Sequence, residues 1–145
     1  MKKKWLYLLG ILAVIGVIAA VLVYFFVYNK PHKDYSKAKP EVEIEAVALF
    51  ESFRNDAQAA SAEYNGKVVA ISGEITGVEQ TDGLTILVMA LDEGMFGSEG
   101  IRCTMIPELA SAAVATPPGS KVTVKGLLTG YNETDVILEH CSLVE

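Results

Sequence analysis

The closing stretch 120-SKVTVKGLLTGYNETDVILEHCSLVE-145 alternates apolar and polar residues in two runs joined by a polar turn. Val122, Val124, Gly126 and Leu128 fall on one face at a period of two, and a second run starts at Asp135. Alternation of this kind is what a hairpin with one buried face requires, because successive side chains of a strand point to opposite sides. The turn residues Asn132, Glu133 and Thr134 also spell an N-x-T glycan acceptor. Turn formation is the simpler account of them, since Asn bonds its own backbone two residues on.

Upstream of this hairpin the pattern repeats. "PPG" at 117–119 is a turn, and "PELASAAVAT" at 107–116 reads as a short helix opened by Pro107 and closed before Pro117. "IRCTMI" at 101–106 is a strand with Ile101, Cys103 and Met105 inward, and "LTILVMAL" at 84–91 is a strand apolar on both faces. Between them "DEGMFGSEG" reads as a glycine-rich acidic loop. "NGKVVAISGEITGVEQ" at 65–80 alternates through Val69, Ile71, Gly73, Ile75 and Gly77, with "TDG" after it as a hairpin turn. Glycines inside that strand suit a bulge or a tight corner. Before it, Val47, Phe50, Phe53, Ala57, Ala60 and Tyr64 recur every three or four residues, the stripe of an amphipathic helix. The "RND" step at 54–56 leaves room for a break into two shorter helices.

The first forty residues are of another kind. A basic tail, 1–4, precedes 25 uncharged residues from Trp5 through Asn29. A hydrocarbon core about 30 Å thick needs roughly 20 apolar residues as a helix, so 5–29 reads as a transmembrane anchor, with Trp5, Tyr7, Tyr24 and Tyr28 at headgroup level. A cleaved signal peptide would have a shorter apolar run ending in small residues; this one exits through "VYFFVYNK". Residues 30–44, lysine-rich with two prolines, read as a basic polar tether beside the headgroups, and His32 within it as solvated. The domain is expected over 45–145. Lysines flank the anchor on both sides, so the positive-inside count is nearly balanced; the leading triplet abutting the helix favours the N-terminus in the cytoplasm and the domain out, with the opposite topology as the alternative.

Charge divides the chain at the same place. Residues 1–40 hold seven lysines and one Asp, net +6; residues 41–145 hold five Lys or Arg against seventeen Asp or Glu, net −12. A field of that sign repels a phosphate backbone unless a local basic groove overcomes it, which makes nucleic acid an unfavoured partner. The five cations, Arg54, Lys67, Arg102, Lys121 and Lys125, are scattered in sequence.

Five short strands with a helix between the third and fourth form the element order of the OB-fold, a partly open five-stranded barrel. The expected class is thus all-β-dominated: an OB barrel with an N-terminal helical segment and a helix between strands three and four, behind one transmembrane helix. "AEYNGKVV…SGEITGV" and "VILEHCSL", within a similarity that covers nearly all of 46–144, resemble the tRNA-anticodon-domain-like OB-fold proteins of bacterial envelopes, mainly of Bacteroidota. That resemblance implies fold, and no activity is inherited with it. Many members look like lipoproteins, whereas this chain carries a helical anchor.

Candidate site residues are few. Cys103 and Cys141 would sit on neighbouring strands of such a barrel, either as a disulfide suited to an oxidising compartment or as two buried small hydrophobes. Asp92, Glu93 and Glu99 could offer oxygens to a hard cation but lack EF-hand spacing, and a solvated acidic loop is the plainer reading. Met95 and Phe96 are expected to pack under the barrel, with a small contact site as the alternative. Tyr131 lies in the loop between strands four and five, where OB-folds commonly touch ligand, but single-strand binders need several aromatics and a basic groove. Two thiols and two histidines make no metal site, and no nucleophile–base pair or phosphate-cradling loop occurs. The resulting expectation is a non-enzymatic binding or scaffolding module without cofactor, anchored by a single pass in a bacterial inner membrane and facing the periplasm. Its partner would be an envelope protein or small ligand. The alternatives are a tethered single-strand nucleic-acid binder and, lower, a cation-binding stress protein.

Overall fold

The structure, a computed structural model, describes residues 2–28 and 34–144, and the chain divides into two compact units between Lys33 and Asp34. His32 lies outside the described residues. In the first unit, helix α1 (Lys2–Val23) runs on through a π-helical turn, Tyr24–Tyr28. It is long and apolar enough to cross a membrane, and none of it is buried.

The second unit is built on one seven-stranded sheet: β1 (Val42–Glu45), β2 (Val68–Glu74), β3 (Gly77–Thr81), β4 (Leu84–Gly94), β5 (Gly97–Met105), β6 (Lys121–Tyr131) and β7 (Asp135–Val144). Their order is β1-β2-β6-β7-β5-β4-β3. The ladder is open as hydrogen-bonded, yet β2 and β3, near its two ends, are consecutive in the chain and parted only by Ile75 and Thr76. At that joint the strand changes partners. Ile75 N donates to Ser120 O at 3.0 Å on one side, and Thr76 N donates to Val88 O at 2.9 Å on the other. Thr76 Oγ1 also donates to Val88 O and accepts from Ala90 N, so a side chain fills in for the interrupted ladder. The sheet must therefore curl on itself as the partly open barrel of an OB-fold. All five expected strands are present, the first of them split into β2 and β3, and β5 and β7 pair in parallel as the fold requires.

Two elements depart from expectation. The expected tether carries a strand: β1, Val-Glu-Ile-Glu, pairs in parallel with β2, and Glu41 N donates to Val68 O at 2.7 Å. Val42 and Ile44 pack against the core, enough apolar surface to dock a four-residue strand. The segment before it is also engaged, with Lys125 Nζ donating to Ser36 O at 2.8 Å and the Tyr35 ring stacked on His140 at 5.0 Å. The second departure is the acidic stretch. It is no loop but the distal half of the β4–β5 hairpin, paired to Gly94 opposite Gly97 and turning through Met95 and Phe96 alone.

The helical stripe breaks at "RND" into α2 (Ala46–Asn55) and α3 (Ala57–Tyr64). Asp56 causes the break and restarts the helix, its carboxylate accepting from Ala59 N at 3.0 Å. Ala46, Leu49, Phe50, Phe53, Ala60 and Tyr64 close one end of the barrel; Val47 and Ala57, expected in the stripe, are exposed. Between β5 and β6, a 3₁₀ turn (Pro107–Leu109) leads into α4 (Ala110–Ala115), which buries Ala113.

Candidate functional site

The β4–β5 hairpin displays the unit's most exposed large apolar side chains. Met95 and Phe96 are 94% and 95% exposed, which corrects the expectation that they pack under the barrel. A two-residue turn leaves no room to fold them back. The hairpin's stem is fixed to the helices: the Arg54 guanidinium, at the end of α2, forms an ion pair with Asp92 and lies over the Phe50 ring, 5.5 Å from its centroid. Hydrogen bonding to Arg54 holds the Asp92 carboxyl below the usual range, and the same bond raises the Arg54 pKa. Glu99 faces Asp92 across the ladder, and Glu93 faces Ser98. Asp92 is thus committed to an arginine, and among the described residues no three carboxylate, thiol or imidazole side chains cluster as a metal site would need.

Around Arg102, the outer face of β3, β4, β5 and β7 is the region that OB-folds use for ligand. Registers put Val88, Arg102 and Ile137 in one row and Glu79, Ile86 and Thr104 in the next. Arg102 donates from Nε to Asp135 at 3.1 Å and from Nη1 to Glu79 at 2.7 Å. Burial works against its charge, but these two carboxylates outweigh it and keep the guanidinium pKa raised. Asp135 is itself buried and also accepts from Gly100 N at 3.1 Å. The central cation of this face is neutralised twice over, and no aromatic lies in either row. Sequence reasoning missed the network because 33 residues separate Arg102 from Asp135, and only the parallel β5–β7 pairing joins them.

Tyr131 is not a free stacking platform. Its ring packs 5.4 Å from Phe53, its hydroxyl donates to Glu133 O at 2.9 Å, and burial raises its pKa. Asn132 Oδ1 accepts from the backbone N of Thr134 and Asp135, so the N-x-T triplet serves the turn. Cys103 and Cys141 are both fully buried and unlinked. They are neighbours all the same: burial, and then a hydrogen bond with Cys103, push the Cys141 thiol well above its ordinary pKa. Of the five cations of residues 41–145, Arg54 and Arg102 are ion-paired and Lys125 donates to Ser36 O.

The tRNA_anti-like family model matches residues 1–143. The chain belongs to the tRNA_anti-like family. No curated protein matches it. Among solved structures, this tRNA_anti-like chain is similar to a Klebsiella pneumoniae lipoprotein whose name carries a provisional nucleic-acid-binding assignment. The TM-score is 0.59 at 21% identity, over 80% of this chain and 100% of that one, which establishes a shared fold. The Pyrococcus horikoshii asparaginyl-tRNA synthetase matches over 57% of this chain and 20% of its own (TM-score 0.38, 17% identity). An Entamoeba histolytica aspartyl-tRNA synthetase matches over 57% and 19% (TM-score 0.40, 11% identity).

Proposed function

We propose that this protein is a non-catalytic binding module, anchored in a bacterial inner membrane by α1 and facing the periplasm, that presents the β4–β5 hairpin to an envelope protein. The observation that carries the reading is α1 with its π-helical turn, Lys2–Tyr28, apolar throughout its middle and nowhere buried. A helix apolar on all sides finds its solvent in lipid. Met95 and Phe96 supply the contact, since a fully exposed Met–Phe pair held on a fixed stem is a ready anchor for a partner pocket. Glu93, Glu99 and the net charge of −12 over residues 41–145 favour a partner with a basic rim around that pocket.

Protease digestion of intact spheroplasts, probed with an antibody to the barrel beside a cytosolic control, tests the topology. Loss of the barrel while the control survives supports the reading; protection until lysis overturns it. Outside the cytoplasm the neighbouring thiols of Cys103 and Cys141 can give up two protons and two electrons to dithiol–disulfide oxidants and become a disulfide. Intact mass without reductant would then be lower by two hydrogens.

The family and the name of the Klebsiella protein favour a second reading, single-strand nucleic-acid binding. It requires micromolar binding that weakens steeply with salt. With Arg102 neutralised and no aromatic row, titration of oligonucleotides at low salt is expected to stay flat.

A further inference from the structure

A second surface lies on the other side of the barrel, on the outer face of β1, β2, β6 and β7. A trough of about 600 Å³ runs there between Glu45 and Lys121, and an adjoining one of about 270 Å³ lies between Glu43 and Lys125; both have Ser72 and Thr123 in their floor. The sheet register explains the arrangement. Glu43, Ala70, Lys125 and Ser142 form one row across the four strands, and Glu45, Ser72, Thr123 and Val144 form the next. Lys121, opposite Glu74, continues the basic side.

The charged residues that line the troughs are Glu43 and Glu45 on β1 and Lys121 and Lys125 on β6, with β2 between them; Glu74, at the end of β2 opposite Lys121, is a carboxylate on the basic side. Among the described residues none of Glu43, Glu45, Lys121 and Lys125 is in an ion pair. Strands spaced about 4.8 Å apart put these walls roughly 10 Å apart at the backbone, close to the length of about three extended residues. The lining is mixed, with Val122, Leu143 and Val144 beside two hydroxyls: Ser72 Oγ and Thr123 Oγ1 share a hydrogen bond at 3.0 Å, which leaves one hydroxyl proton and free lone pairs for a ligand amide. Lys125 is held by Ser36 O, and two of its protons remain to be donated. The larger trough falls in the usual range of small-molecule sites, about 300–1,000 Å³.

We propose that this trough binds a short zwitterionic peptide of about two to three residues, its ammonium toward Glu43 and Glu45 and its carboxylate toward Lys121 and Lys125. Opposed walls of unlike charge, with an amide-binding floor between them, select a ligand that carries both charges at its two ends. A polyanion meets two carboxylates there, and a simple cation leaves two ammonium groups unanswered. The site concerns a different face and a different ligand from the hairpin, and it stands whichever side of a membrane the barrel occupies.

The test is an NMR titration of the isotope-labelled full chain in detergent micelles with trialanine, N-acetyl-trialanine and trialanine amide. Saturable shifts are expected at β1, β2 and β6 with trialanine. Affinity should fall about tenfold when either terminal charge is blocked, the loss of one charge-assisted contact. Lys121→Gln should weaken trialanine but leave trialanine amide unchanged, and Glu45→Gln should do the converse with the acetylated peptide. Both residues are exposed, so neither substitution endangers the fold. No saturable shift, equal affinity for all three peptides, or shifts confined to β3–β5 would overturn the proposal.

Discussion

Gly126 and Cys141 compete for one volume. A Cβ built on Gly126 would lie 2.4 Å from Cys141 Sγ and 3.2 Å from Glu139 O, so the sulfur occupies the space that any other residue at 126 would fill. Both sit beside a ladder irregularity between β6 and β7, where the close approach is made. Gly126→Ala should therefore destabilise the barrel by about 1–3 kcal/mol through overpacking. Cys141→Ala in the same chain should recover part of the loss, a coupling that a double-mutant cycle in denaturant reads directly. Gly100 is stricter, because its absent Cβ would meet the carbonyl oxygen of Met89 at 2.0 Å and backbone cannot step aside.

At the scale of elements, α2 and the β4–β5 hairpin are coupled through Arg54 and Asp92. Because Asp92 has a depressed pKa in the folded protein, the pair contributes fully above the ordinary Asp value of about 3.9 and is lost as pH falls through the lower folded value. A carboxyl-carbon NMR titration should place the Asp92 midpoint below that ordinary value. Asp92→Asn should reproduce at neutral pH the stem loosening that acid causes in the parent chain, read as faster amide exchange at residues 92–99. The elements that alternation announces, 65–80 and 120–144, were legible in sequence, as was the helix break that Asp56 makes. The hairpin's outer half was not, since Asp, Glu and Gly are poor strand formers and pair here only because β4 and β5 continue past the barrel rim. Nor was the exposure of Met95 and Phe96, because apolar character argues for burial until the turn geometry is known. β1 carried the right alternation in Val42 and Ile44, but four residues after a lysine–proline run give too short a signal.

For the whole molecule, charge and topology assign different surfaces to different duties. The face of β3–β4–β5–β7, which a nucleic-acid binder would leave basic and aromatic, carries Arg102 locked between Glu79 and Asp135. The hairpin tip and the trough of β1–β2–β6–β7 are left as the open surfaces. The same topology has a practical consequence for β1. A strand at the end of a sheet presents unpaired N–H and C=O groups that template another chain, and native proteins keep such edges short, charged or covered. Val42–Glu45 covers the free side of β2 with four residues, two of them glutamates. A fragment beginning at Glu45, where composition alone would cut, uncovers the apolar edge Val68–Ile71; it should form intermolecular β-structure that thioflavin fluorescence and sedimentation detect, while a fragment beginning at Asp34 stays monomeric.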